Sequence, residues 1–131
     1  MTRLAVTYPD VERLVVDYLD GLLTESVGVG VPSTWKIGSD DYLQVQLDGT
    51  PRLEHPAVAH ATVRLVARSS STTAAKALAA KAMGLLCAHP GDGEIASTGP
   101  YTGVLPARDP DTGAELASVT CRVSLRSTPI P

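Results

Sequence analysis

Three histidines, two acidic pairs and two cysteines hold whatever chemistry this chain of 131 residues can do. His55 and His60 stand five residues apart, running from Pro56 into an alternating segment. In a regular strand that spacing puts them on opposite faces. His89 falls at the end of an alanine-rich helical pattern, where an imidazole caps terminal carbonyls and favours the dipole. A histidine metal site needs ligands that converge, and this spacing supplies none, so no metal or cofactor is expected. The pairs Asp40-Asp41 and Asp109/Asp111 have the chemistry of general acid–base carboxylates. Both sit in polar, turn-like segments, where Asp next to Pro and Gly closes an Asx turn instead. The run Asp109-Pro110-Asp111-Thr112-Gly113 also lacks the spaced oxygen ligands of a calcium loop. The chain contains no G-x-S-x-G, no phosphate-loop motif, no G-x-G-x-x-G before a helix and no C-x-x-C. The glycines of "GVGVPSTWKIG" precede no helical pattern, so they do not form a phosphate cradle. No catalytic residue is expected, and the chain reads as a protein that is not an enzyme.

Cys87 and Cys121 each lie on the apolar stripe of their element, as buried reduced thiols that pack as small hydrophobes. A disulfide would require the helix bearing Cys87 to lie over the strand bearing Cys121, and a reducing compartment disfavours it.

Composition narrows the function classes further. Hydrophobic residues make up 44% of the chain, enough for one packed domain over residues 1–131. Phe is absent and aromatics total 4%, so that core is aliphatic. The net charge is −3 and the eleven Lys and Arg are scattered. That argues against nucleic-acid binding by a clustered positive face and against a polybasic membrane anchor. The N-terminal "MTRLAVTYPDVERL" has no apolar signal-peptide core, and no apolar run approaches the about 18 residues of a membrane-spanning helix. The expected location is the cytoplasm, or an assembly built there.

These residues are positioned by two helices and several strands. Residues 9–24 have a stripe of Val11, Leu14, Val15, Tyr18, Leu19 and Leu22 at helical spacing, with Pro9 in the first helical position and Arg13, Asp17 and Asp20 opposite. Residues 69–87 form the clearest helix: a Ser/Thr cluster offers N-caps, and Ala75, Leu78, Ala79, Ala82, Leu85 and Cys87 form its buried side. Alternation marks strands over 41–51, ending at an Asp48-Gly49 turn, over 55–69, and over 115–126. In the last of these Ala117, Val119, Cys121, Val123 and Leu125 face one way, and Ser118, Thr120, Arg122, Ser124 and Arg126 the other. A short strand fits Val27 to Val31, and another opens the segment from Glu94. Residues 26–41 and 97–114 otherwise read as long connections, with Trp35 as a core plug or a contact residue. The predicted fold is α+β, a small mixed or antiparallel sheet of about four to five strands with two helices packed on one face.

The order of these segments resembles the tail terminator, or tail completion, proteins of long-tailed bacteriophages, especially phages of actinobacteria. The resemblance runs over nearly the whole chain: the "YPDVERLVVDYLDGLL" helix, "VGVGVP", "YLQVQLDGTP", "SSSTTAAKALAAKAMGLLCA" and "GPYTGVLPARDPDTGAELASVTCRVSLR". Where that family often has an Arg-Tyr pair at the start of the last strand, this chain reads Glu115-Leu116-Ala117. The resemblance implies a virion protein, assembled in the host cytoplasm as a hexameric ring. Such a ring caps the tail tube, ends its polymerisation, docks head-completion or connector proteins and lets DNA pass its lumen without sequence-specific contact. The expected contact residues are Trp35, Lys36, Asp40, Asp41, Arg64, Asp109, Asp111, Arg122 and Arg126. Three other readings share these features: another head–tail connector or tail tube component, a small non-phage ligand-binding dimer, and a small enzyme using His60 with Asp48 or Glu54.

Overall fold

The computed structural model describes residues 5–49, 51–54 and 57–130, and His55 lies outside them. The elements run β1 (Val6–Thr7), α1 (Val11–Asp20), β2 (Ser26–Gly28), β3 (Tyr42–Leu47), β4 (Arg52–Glu54), β5 (Val58–Ser69), α2 (Thr72–Cys87), β6 (Ile95–Arg108), β7 (Glu115–Arg126) and β8 (Thr128–Pro129). The fold is α+β. Five strands lie in the order β2-β3-β5-β7-β6, with β4 as a sixth paired to β5, and β1 and β8 form a separate two-stranded sheet. The β2–β3 pair is parallel and the other ladders are antiparallel. The sheet is thus larger than the four to five strands expected. The additions are strands of two or three residues, too short to show an alternation.

Helix α1 is shorter than its pattern. Asp10, not Pro9, is the boundary residue: its carboxylate accepts from the N–H groups of Glu12 and Arg13, at 3.1 and 3.4 Å. Val11, Val15 and Leu19 are buried, followed by Leu23 beyond the helix, while Leu22 turns outward. Glu12 reaches across to accept the Leu47 N–H at 2.9 Å, tying the first turn of α1 to the end of β3. Ser71 caps α2 by accepting from the Ala74 N–H. Along α2 the fully buried leucine after Leu78 is Leu86, not Leu85, which is only partly covered. The small faces of Ala75, Ala79 and Ala82 let the helix backbone lie close to β5, β6 and β7.

The largest correction concerns 97–114. Most of it is not a loop: β6 is a 14-residue edge strand paired along β7, with register shifts after Ile95, Pro100 and Thr102. Pro100 and Pro106 donate no ladder bond, which an edge strand tolerates, and the bulges break the alternation that would have revealed it.

Both helices cover one face of the sheet. That face contributes Leu43, Val45, Ala59, Ala61, Val63, Leu65, Ala67, Ala117, Val119, Cys121, Val123 and Leu125 to a single aliphatic core. Burying each Leu or Val there contributes roughly 1.5–3 kcal/mol. Cys87 and Cys121 meet as free thiols, because α2 does lie over β7; Cys121 is buried as expected, but Cys87, at the end of α2, is only half-buried. Burial first, and then the adjacent Cys87 thiol, pushes the Cys121 thiol up to about 12.

Candidate interaction surface

The opposite face of the sheet is the feature that remains after the core is assigned. Among the described residues neither helix packs on it. Its side chains stand in cross-strand rows fixed by the ladder register. The rows read Tyr42–Arg68–Leu116, Gln44–Val66–Ser118, Gln46–Arg64–Thr120, Thr62–Arg122 and Arg52–His60–Ser124. Beyond Thr120, Arg122 and Ser124, β6 forms a rim with Thr102, Gly99 and Ser97. Two shallow depressions of about 500 Å³ each run along this rim. One lies between Arg64, Asp48, Thr120, Tyr101 and Leu105, the other between Arg52, His60, Ser124 and Arg122. Tyr101 and Leu105 are 62% and 66% exposed, so the rim presents apolar surface beside a polar floor.

At one end of this face three segments are clasped together. Arg68 of β5 donates to the Asp109 carboxylate at 2.8 Å, and its guanidinium lies 5.6 Å from the Trp35 ring centroid. The indole N–H of Trp35 donates to the Asp40 carbonyl at 2.9 Å. Trp35 is therefore half-buried on a cation, a position between the core plug and the free contact that its sequence setting allowed. Asp109 closes an Asx turn by accepting from the Asp111 N–H at 2.9 Å, and Gly113 sits at φ +74°, which favours glycine. These bonds, with Arg68 first, hold the Asp109 carboxyl down at about 2. Asp111 is exposed on the turn. Beside the clasp, Glu25, Asp40 and Asp41 line a depression of about 420 Å³ with Thr24, Ser26 and Ser39.

The other end is basic. Arg122 is exposed and has no carboxylate partner among the described residues; it stands 5.6 Å from the Tyr101 ring centroid. Arg52 pairs with Glu54 at 3.2 Å, and Arg64 with Asp48 at 3.4 Å. Arg126 donates to the Asp92 carbonyl at 3.0 Å. Asp92 in turn accepts from the Ile95 and Glu94 N–H groups, which lower its pKa.

The nine expected contact residues fall into two groups. Trp35, Lys36, Asp40, Asp41, Asp109 and Asp111 gather at the clasped end; Arg64, Arg122 and Arg126 lie along the middle and the other end. Asp109 is spent on holding the turn rather than presented outward. The residue that sequence reading missed is Arg68. Its row in the alternation was visible, but its partners come from loops 33 and 41 residues away in sequence. Tyr101 and Leu105 escape a sequence reading because the glycines, prolines and register shifts of β6 give its segment the pattern of a loop.

His60 is placed between two groups, with Nδ1 3.0 Å from the Ser124 hydroxyl and Nε2 3.4 Å from the Glu54 carboxylate. The nucleophile–base–carboxylate order is suggestive. However, His60 and Ser124 are direct cross-strand neighbours on interior strands. Ladder pairing takes up the backbone N–H groups around them, so among the described residues no donors converge where an oxyanion would form. His89 does not cap α2 carbonyls: its Nδ1 accepts the Gly91 N–H at 2.9 Å, and its ring lies 4.6 Å from that of Tyr18. Among the described residues no three His, Cys, Asp or Glu side chains converge as a metal site requires, and no helix is long and apolar enough to cross a membrane.

No protein-family model matches the chain, and a search of curated proteins returns no match. The surface chemistry of the open face is therefore the ground for a functional reading.

Proposed function

We propose that this chain is a tail terminator of a long-tailed bacteriophage, a structural subunit that closes into a hexameric ring on the end of the tail tube. The observation that supports it is the sheet face that neither helix covers among the described residues, bordered by a long edge strand with exposed Tyr101 and Leu105. A face and an edge of this kind suit a subunit whose neighbours cover them. The mechanism is geometric. One ring face matches the growing end of the tube; the other does not, so no further tube subunit adds. That second face docks head-completion proteins. DNA passes the lumen without sequence-specific contact, in keeping with a net charge of −3. In this proposal the protein sits in the tail or neck of the virion after assembly in the host cytoplasm.

The test is solution mass by light scattering with negative-stain images of the same sample, followed by addition of purified tail tube protein as it polymerises. A ring, free or formed at tube ends, with shortened tubes, supports the reading. A compact dimer, or a protein that leaves tube length unchanged and tube ends bare, overturns it.

A further inference from the structure

The two ends of the open face have opposite charge. At the clasped end Glu25, Asp40 and Asp41 surround one depression, and none forms an ion pair among the described residues. At the far end Arg122 is likewise unpaired among the described residues, in a depression it shares with His60 and with Arg52, which pairs with Glu54. The ends are separated along β5: Arg68 stands under the acidic end and His60 at the basic end, eight residues apart. At about 3.3 Å per residue that is roughly 26 Å. The distance exceeds the Debye length of about 8 Å at physiological salt, so the two ends do not neutralise each other within one copy.

We infer that the occupant of the basic end is the acidic corner of a second copy of this chain. The contact is head-to-tail: the corner around Asp40 and Asp41 of one copy seats against the unpaired Arg122 of the next. A head-to-tail contact repeats until it closes, which makes a ring if the rotation is right. This inference rests on the ring reading and specifies which surfaces make the ring. It accounts for unpaired charges of both signs on one small face, where a solvated face usually intersperses them. It also places apolar Tyr101 and Leu105 beside the charged contact, inside the area that docking would cover.

Charge reversal tests it. Arg122→Glu and Asp40→Lys alter exposed side chains. Melting curves and circular dichroism serve as fold controls, and Arg122→Lys as the conservative variant. Self-association is read by light scattering at about 50 mM and about 500 mM NaCl. The expected result is that each reversal weakens association at least about tenfold, Arg122→Lys does not, and salt weakens the wild type. The decisive sample is an equimolar mixture of Arg122→Glu and Asp40→Lys. If the contact is head-to-tail, the two kinds of subunit alternate, every junction regains an opposite pair, and the mixture assembles where neither variant does alone. Failure of the mixture to assemble overturns the inference. So do wild-type-like rings from both single variants, although in that case the ring reading survives. A mixture that stops at a dimer overturns the ring while keeping the charge contact. A wild type that stays monomeric at both salts overturns the inference, and the tube-end assay then decides the ring reading separately.

Discussion

Substituting Gly28 by Ala tests how β2 and its following loop are held. The structure places Gly28 on the parallel edge strand, opposite Gln44. A methyl group there would overlap the Tyr42 hydroxyl and lie 3.3 Å from ring carbon Cζ. Tyr42 has little room to retreat: it is 8% exposed, its hydroxyl donates to the Gly30 carbonyl, and burial raises its pKa so that the proton stays available. Overpacking of this kind costs about 1–3 kcal/mol. For a domain of this size about 2 kcal/mol lowers Tm by roughly 8 °C. Tyr42→Phe alone loses one hydrogen bond to a carbonyl that water can reach, about 1 kcal/mol at most. In the Tyr42→Phe background the overlapped oxygen is gone. Gly28→Ala should then be close to neutral, since the same change also restricts the unfolded chain by about 0.4–1 kcal/mol. Chemical denaturation of the four proteins of this cycle should give a coupling of about 2 kcal/mol. Equal costs of Gly28→Ala in both backgrounds would refute the reasoning, because the clash would then not be with the tyrosine.

Four further outcomes are expected. The buried thiol of Cys121, pushed up to about 12, should resist alkylation in the native protein at neutral pH and react only on unfolding; mass spectrometry of labelled peptides reads this. Asp109 has a folded pKa of about 2, below its unfolded value, so its stabilising effect is full above about pH 4 and lost as pH falls towards 2. Asp109→Asn should therefore flatten that acid limb of the denaturation curve while leaving the neutral-pH slope alone. Leu65→Ala, at the fully buried centre of β5, should cost about 2–5 kcal/mol without altering assembly by any refolded fraction. His60→Ala and wild type should hydrolyse an activated ester equally slowly; a rate that drops with the substitution would revive the enzyme reading.

How much of this was legible in the sequence depended on where the determining contacts lie. The alternation of β7 and β5 and the Asp109 turn are local patterns, and each appears where the residues place it; the helical stripes do so only in part, since Leu22 turns outward and Leu86, not Leu85, is buried. Helix α1 stops at Asp20 although apolar residues continue, because Leu23 is buried from an irregular turn rather than from the helix. Strand β6 was hidden since its pairing partner, not its own pattern, makes it a strand: glycines and two prolines at an edge read as a loop until β7 is placed beside them. The clasp of Trp35, Arg68 and Asp109 joins three segments far apart in sequence, and no single-sequence period records such a meeting.

The edge strand also bears on why the two ends of the open face matter. An edge of 14 residues is a template for unregulated pairing with other chains. Here Pro100, Pro106 and three register shifts interrupt it, so a neighbour cannot extend the sheet by simple strand addition along its whole length. If edge pairing is blocked, side chains must specify any contact between copies. The side chains available on this side of the molecule are an acidic corner, a basic end and two exposed apolar groups between them on the rim. Charges of opposite sign at separated positions fit a head-to-tail ring, and also a two-fold dimer in which each copy's acidic corner meets the other's basic end. The mixed-variant experiment separates the two by the mass of the restored assembly, since reversed subunits regain opposite pairs in either arrangement but only the ring continues beyond two copies.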